Sequence, residues 1–184
     1  MADIVEKTDM KISLKTRIGL NRADEFDDIL DIYEACPVEM LIVHPRIRMD
    51  YYSGKPDMEA FEKASARMPF SVCYNGDIFT AAAYGCVSEK SSDIRHWMMG
   101  RGLLSNPALC REIRGGDCAS REELADYYHT MRDEYEVRLQ GNKKGVFLMK
   151  EFWPYIRWIL SEEDRQEIDE MMHLREGEEL FRKA

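Results

Sequence analysis

The stretch whose residue types point most directly to chemistry is a glycine-arginine-glycine triplet, Gly100-Arg101-Gly102. It follows a short apolar run and precedes a predicted helix start at Ser105-Asn106-Pro107. Glycines let backbone N–H groups approach a phosphate closely, a helix N-terminus adds its dipole, and Arg101 can add a charge-assisted bidentate contact. The triplet therefore predicts an anion site, while simple turn chemistry after a strand is the alternative.

Three segments upstream share this pattern of an apolar run followed by polar or glycine-rich residues. Lys15 and Arg17 end the first run, His44 ends the second, and Asn75-Gly76-Asp77 follows the third. Strands are predicted over Lys11–Arg17, Met40–His44, Phe70–Tyr74 and His96–Met99. Four consecutive strands thus end in residues that could carry chemistry.

The elements that must position these ends recur at a regular interval. Consecutive ends lie roughly 25 to 31 residues apart, which is the length of one βα unit. Helices are predicted between the strands, over Asp24–Cys36, Met58–Ala66 and about Thr80–Lys90. This rhythm is typical of a (β/α) barrel, whose chemistry collects at the carboxyl ends of its strands. A complete barrel has eight units, so the sequence predicts an α/β fold with about four units, the second half of a TIM barrel.

The pattern becomes helical after Pro107. Helices are predicted over Ala108–Ile113, from a Ser120 cap to about Leu139, over about Val146–Leu160, and from Ser161 onward. The sequence therefore predicts two domains. Residues 1–107 form the partial TIM barrel with its phosphate loops, and residues 108–184 form a C-terminal α-helical bundle.

The net charge, the cysteine count and the distribution of apolar residues exclude several classes of protein function. A net charge of -9 argues against coating nucleic acid by bulk charge, although local basic patches remain available. Five cysteines without a CxxC pair predict neither a disulfide framework nor a metal site. Because there is no long apolar run and no signal-peptide pattern, we expect a cytoplasmic protein with no membrane partner.

Four motifs taken in order resemble the tRNA-dihydrouridine synthases. They are Leu14-Lys15-Thr16-Arg17-Ile18-Gly19, His44-Pro45-Arg46-Ile47-Arg48, Tyr74-Asn75-Gly76-Asp77-Ile78 and Met99-Gly100-Arg101-Gly102. The resemblance spans about residues 3–160. It implies an FMN-binding TIM barrel, a helical domain that grips tRNA, and NADPH as the reductant. The reaction it implies is hydride transfer to C6 of a flipped-out uracil, with a cysteine protonating C5, so that uridine becomes 5,6-dihydrouridine.

The resemblance also implies roles for individual residues. Lys15 would stabilise negative charge at the pyrimidine edge of the flavin, and His44 would face the flavin or the uracil, so both are predicted as catalytic and cofactor-binding. The ribityl phosphate would be held by Asn75, Gly76, Asp77, Gly100 and Arg101. Predicted tRNA contacts are Arg46 and Arg48 at the mouth of the site and Lys143, Lys144, Lys150 and Arg157 in the helical domain.

The sequence also departs from the family. The first four barrel strands of the family carry a Pro-Met turn, a flavin-binding glutamine and an Asn-x-Gly-Cys-Pro loop, and they have no counterpart in this sequence. None of the five cysteines of this chain lies in such a loop. We therefore expect a truncated synthase that does not turn over alone. Because half a barrel exposes strand edges, we also expect a homo-oligomer or a complementing half-barrel. NADPH and NADH are not distinguished, since no dinucleotide fingerprint is present.

Simpler interpretations stay open for several of these residues. Lys15 could extend from a strand end to solvent, His44 could be a satisfied loop histidine, and Asp77 could be only a helix N-cap. The aromatic residues interleaved with the basic run after residue 140 could be bundle core. Two other functions are considered: a non-catalytic tRNA-binding module, and an unrelated phosphate-binding barrel enzyme that would leave the Lys15 and His44 motifs unexplained.

Overall fold

The computed structural model describes residues 7–139, 148, 151–152, 154–156, 160–162 and 165–166. Its contacts separate the chain into two compact units. The first unit consists of residues 1–77 and 86–99, and the second consists of residues 78–85 and 100–184. Helices and a parallel sheet confirm the predicted α/β class.

The first unit contains a parallel sheet whose strands lie side by side in chain order. They are β1 (Ser13–Arg17), β2 (Met40–His44), β3 (Ser71–Tyr74) and β4 (His96–Trp97). The register pairs Lys15 with Ile42, Ile42 with Cys73, and Cys73 with His96. One row on, Arg17 pairs with His44. Because side chains alternate along a strand, both rows project from the same face of the sheet.

Helices of the first unit bury apolar side chains. They are α1 (Glu25–Glu34) and α2 (Met58–Arg67), which bury Phe26 and Leu30, and Phe61 and Ala64, respectively. In β2, Leu41 and Val43 are fully buried whereas Met40 and Ile42 are half-buried. A continuous apolar run such as that of β2 is typical of a parallel strand covered on both faces. Among the described residues, β2 is covered less completely on the face of Met40 and Ile42, and in that row Lys15 is exposed whereas Cys73 is buried.

The second unit is helical over most of its described length. Its helices are α4 (Arg101–Ser105), α5 (Leu109–Ile113) and α6 (Arg121–Arg138), and α3 (Ala81–Lys90) contributes residues to both units. The Ser120 side chain accepts a hydrogen bond from the Glu123 backbone N–H at 3.1 Å, which confirms the predicted cap of α6. Most residues of the two later predicted helices lie outside the described part of the chain, so the C-terminal bundle and the two-domain division stay predictions.

The region around Arg101 differs from its predicted form. Arg101 begins α4 itself, rather than lying in a loop before a helix at Ser105. Gly102 permits this arrangement because a Cβ at that position would overlap the Ile78 carbonyl. Asn106 then supports the next helix, since its Oδ1 accepts a hydrogen bond from the Ala108 backbone N–H at 2.9 Å. Across the described residues, no helix combines the length and apolar character needed to cross a membrane.

Candidate active site at the carboxyl ends of the strands

Lys15 and Arg17 lie at the carboxyl end of β1 on the same face as His44. The two-residue spacing of a strand places the two cations side by side, and the β1–β2 register sets Arg17 opposite His44. Partial burial and the nearby Arg17 charge lower the pKa of the Lys15 ammonium from its ordinary value. The strand ends therefore form a positively charged surface beside an imidazole.

His44 is an enclosed side chain, only 6% exposed. Its ring stacks on Tyr52 with centroids 6.1 Å apart, and its Nε2 lies 3.3 Å from Arg46 Nη1. Burial, followed by the charges of Arg17, Lys15 and Arg46, lowers its pKa to about 4, against a smaller opposing effect of Asp77. The imidazole is therefore neutral at physiological pH.

Arg46 lies in the interior of the first unit and is 1% exposed. Its two Nη atoms donate to the two carboxylate oxygens of Asp77, one of them at 3.0 Å. Its Nε donates to the Ser53 carbonyl at 3.1 Å and Nη2 to the Gly54 carbonyl at 2.6 Å. The sequence placed Arg46 at the mouth where RNA enters, but a buried guanidinium bonded in this way organises the loop after β2. Its predicted tRNA contact has no support in this geometry.

Arg17 is a candidate that the predicted site omitted. Its guanidinium donates to the carbonyls of Ile47 and Tyr51, each at 2.7 Å, and lies 5.6 Å from the centroid of the Tyr52 ring. The available signal was its spacing of two from Lys15 in a strand, which puts both cations on one face. Nothing in the sequence pattern indicated Tyr52, because its place depends on how the loop after β2 folds back.

The segment after β3 uses its polar groups within the first unit. Asn75 Nδ2 donates to the Met98 carbonyl at 2.8 Å, and the Asp77 carboxylate is bonded by Arg46. A Cβ on Gly76 would overlap the Tyr74 phenol, so close packing requires glycine there. A carboxylate repels phosphate, so the Asp77 side chain does not fit as a phosphate ligand, although backbone N–H groups can serve.

The other predicted phosphate residues belong to the second unit. A Cβ at Gly100 would meet no atom within 4 Å, and the Arg101 guanidinium lies 5.2 Å from the centroid of the Phe79 ring. A joint phosphate cradle of Asn75, Gly76, Gly100 and Arg101 stays a prediction.

Of the predicted tRNA contacts, Arg48 is exposed and begins a 3-10 turn at Arg48–Asp50, where its backbone N–H donates to the Gly19 carbonyl at 2.9 Å. Four others lie outside the described residues: Lys143, Lys144, Lys150 and Arg157.

A metal site has no candidate in the part of the chain that the structure describes, and the cysteine nearest the candidate site, Cys73, is buried. The described part contains no group of three or more histidine, cysteine, aspartate and glutamate side chains placed to hold a metal ion. Cys73 lies in the row with Lys15, but burial raises the pKa of its thiol to about 11. The thiol is therefore protonated at physiological pH.

A parallel α/β unit that presents cations and a histidine at the carboxyl ends of its strands has the organisation of an (β/α)-barrel ligand site. The family model described as Dihydrouridine synthase (Dus) matches residues 1–183. The chain belongs to the dihydrouridine synthase family, which confirms the resemblance stated from its motifs.

Individual relatives agree with this assignment. A protein of Rhizobium leguminosarum bv. phaseoli named "Probable tRNA-dihydrouridine synthase" is 28% identical over 137 residues, covering 71% of this chain and 43% of the relative. A Rickettsia conorii protein with the same name is 27% identical over 165 residues, covering 85% and 48%. The "tRNA-dihydrouridine synthase B" of Shewanella oneidensis is 26% identical over 171 residues, covering 89% and 52%. The chain thus spans about half the length of the curated relatives it matches.

Proposed function

We propose that this chain contributes the FMN-binding strand ends of an oxidoreductase that reduces uridine to 5,6-dihydrouridine in tRNA. Family membership supports the reaction class. The observation that carries the proposal is the placement of Lys15, Arg17 and His44 on one face of the sheet at the carboxyl ends of adjacent strands. FMN, once bound and reduced by NADPH, would supply the hydride to C6 of the uracil, and the proton for C5 would come from the family's cysteine loop, which has no counterpart in this sequence.

The residues present fit a flavin ring better than they fit its phosphate. Lys15 supplies a cation on an accessible face, where it stabilises negative charge on an electron-rich heterocycle. Arg17 raises the local positive potential, and neutral His44 can hydrogen-bond the flavin or the uracil. The phosphate would be held by Gly100, Arg101 and the backbone N–H groups near Asn75 and Gly76, with the Asp77 carboxylate reserved for Arg46.

The tRNA would bind through exposed cations. Arg48 supplies one at the strand ends, and Lys143, Lys144, Lys150 and Arg157 supply others in a helical domain over residues 108–184. Residues 1–107 would form the flavin-binding part. NADPH is the proposed reductant, and association with a second copy or a complementing half-barrel would cover the outer edges of β1 and β4. Light scattering tests the association, and a monodisperse monomer would count against it.

Flavin retention tests the proposal directly. The purified 184-residue chain is mixed with excess FMN and desalted, and its visible spectrum is recorded. We expect retained FMN, at least tenfold weaker binding in Lys15→Met, and unchanged binding in Lys11→Met. Lys11 is the matched control because it is an exposed lysine paired with Glu39 at 2.9 Å.

The result that would refute a flavin site in this chain is a folded protein, by circular dichroism, that retains no FMN. Binding of tRNA in that flavin-free protein, weakening as salt rises, would instead support the non-catalytic RNA-binding module.

A further inference from the structure

We propose that the ion pair between buried Arg46 and half-buried Asp77 is a positioning device that holds the His44 imidazole in the neutral tautomer protonated on Nδ1. The inference rests on the proposed function only for the identity of the ligand that His44 faces. The state of the imidazole itself follows from the contacts of this chain.

The tautomer follows from the chemistry of arginine. A guanidinium carries five N–H donors and no acceptor, so it can approach a histidine nitrogen closely only where that nitrogen offers a lone pair. Arg46 Nη1 lies 3.3 Å from His44 Nε2. A neutral imidazole has a single N–H, which must then be on Nδ1, and an imidazolium has no lone pair to offer.

Arg46 is held in place by bonds that leave it little freedom to turn away. Both of its Nη atoms are bonded by Asp77, and the carbonyls of Ser53 and Gly54 accept from Nε and Nη2. Of the two hydrogens on Nη1, one is directed to Asp77 Oδ1 and the other is available for His44. Asp77 therefore acts on His44 through Arg46.

The surrounding charges favour the same state. Lys15 and Arg17 from β1 and Arg46 from the loop after β2 present cations to His44, and Asp77 presents the opposing carboxylate. Tyr52 covers the ring by stacking. Three cations and burial against one carboxylate disfavour the imidazolium, so the neutral ring persists well below physiological pH.

The consequence for binding is a defined hydrogen-bonding role. Among the described residues, His44 Nδ1 has no hydrogen-bond partner, while Nε2 is occupied by Arg46. His44 thus offers one neutral N–H donor, suited to a carbonyl oxygen or an unprotonated ring nitrogen of a heterocycle. It does not supply a positive charge or exchange protons through Nε2, so Lys15 and Arg17 are the cations of this surface.

Nitrogen NMR of the histidine rings tests the proposal on the chain alone. The ¹⁵N-histidine-labelled protein is titrated from about pH 5 to about pH 9, a range that spans the ordinary histidine pKa. We expect the His44 resonances to show Nδ1 protonated and Nε2 unprotonated throughout. His129, exposed on α6, serves as the internal comparison in the same spectra. A His44 ring protonated on Nε2, or one titrating near its ordinary pKa, would overturn the proposal.

Substituting Arg46 tests whether this residue positions the proton on His44 or only supports the loop after β2. Arg46→Met removes the donor and a cation and leaves Asp77 facing the ring, so we expect the His44 proton affinity to rise at least tenfold and Nε2 to become protonated. Arg48→Met, at an exposed arginine two residues away, should change neither. An unchanged tautomer in a folded Arg46→Met protein would reject the positioning role, and the wild-type spectrum remains decisive if that variant fails to fold. Because the samples contain neither flavin nor RNA, a failure of the proposed function leaves this result unaffected.

Discussion

Replacing Asp77 with asparagine should destabilise the first unit by about 2–4 kcal/mol. Arg46 is 1% exposed and donates to both Asp77 oxygens, so the variant loses one charge-assisted bond, worth roughly 1.5–3 kcal/mol, and leaves a buried cation without its counter-charge. Removing one partner of a fully buried pair costs about 3–5 kcal/mol. The lower range applies here because the Asp77 side chain is 30% exposed and the bonds of Arg46 to two carbonyls remain.

Urea unfolding followed by circular dichroism measures this cost, since a shifted midpoint at constant slope reports stability. Hydrogen exchange of the amides in β1, β2 and β3 shows whether the loss falls in the first unit. The matched control is Asp27→Asn, which breaks the Lys63–Asp27 pair between two half-exposed side chains and should cost less than about 1 kcal/mol. A difference between the two variants below about 0.5 kcal/mol would refute the assignment of Arg46–Asp77 as the ion pair that organises the loop after β2.

Three other perturbations test separate parts of the structure. Gly102→Ala should lower the free energy of unfolding by roughly 2 kcal/mol or more, because the added Cβ would overlap a backbone carbonyl. Gly85→Ala in α3, where a Cβ meets open space, should raise it by about 0.5–1 kcal/mol. Equal urea midpoints for the two variants would contradict this expectation. Buried Cys73 should react with a thiol reagent only on unfolding, whereas exposed Cys86 reacts at once, and equal rates would show that Cys73 is accessible. Because the pKa of His44 is about 4 when folded against 6.5 ordinarily, the unfolded chain binds more protons between these values, so stability should fall as pH decreases through that window. The urea midpoint of His44→Gln should fall less steeply there, and an identical slope would contradict the assignment.

The strands were predictable because their signal is local. Buried apolar runs bounded by polar or glycine-rich residues predicted four strands, and the structure confirms them, with β2 unchanged at Met40–His44 and β4 shorter at His96–Trp97. Short α4 was missed because Gly100 and Gly102 read as breakers of a helix. Its formation depends on a tertiary contact, the close approach of Gly102 to the Ile78 carbonyl, which no local pattern encodes.

In the candidate site, too, some side-chain positions follow from the local sequence pattern and others depend on tertiary contacts. Arg17 and Arg46 each follow a predicted site residue by two positions, after Lys15 and His44 respectively. Arg17 is still within β1, so strand alternation keeps it on the face of Lys15. Arg46 lies beyond the end of β2, where Asp57 N–H bonds to the Pro45 carbonyl at 2.7 Å and the chain folds back over the guanidinium.

The same two-residue spacing therefore leads to different environments. The position of Arg17 is set by the geometry of a strand, whereas that of Arg46 is set by a loop held by Asp77, 31 residues further along the chain. Once buried, Arg46 can satisfy its donors only with carbonyls, a carboxylate and the lone pair of His44. This requirement links the conformation of the loop after β2 to the protonation state of His44, the last residue of β2. A sequence pattern can mark His44 and Arg46 as polar residues at a strand end, but only the fold determines that one controls the other.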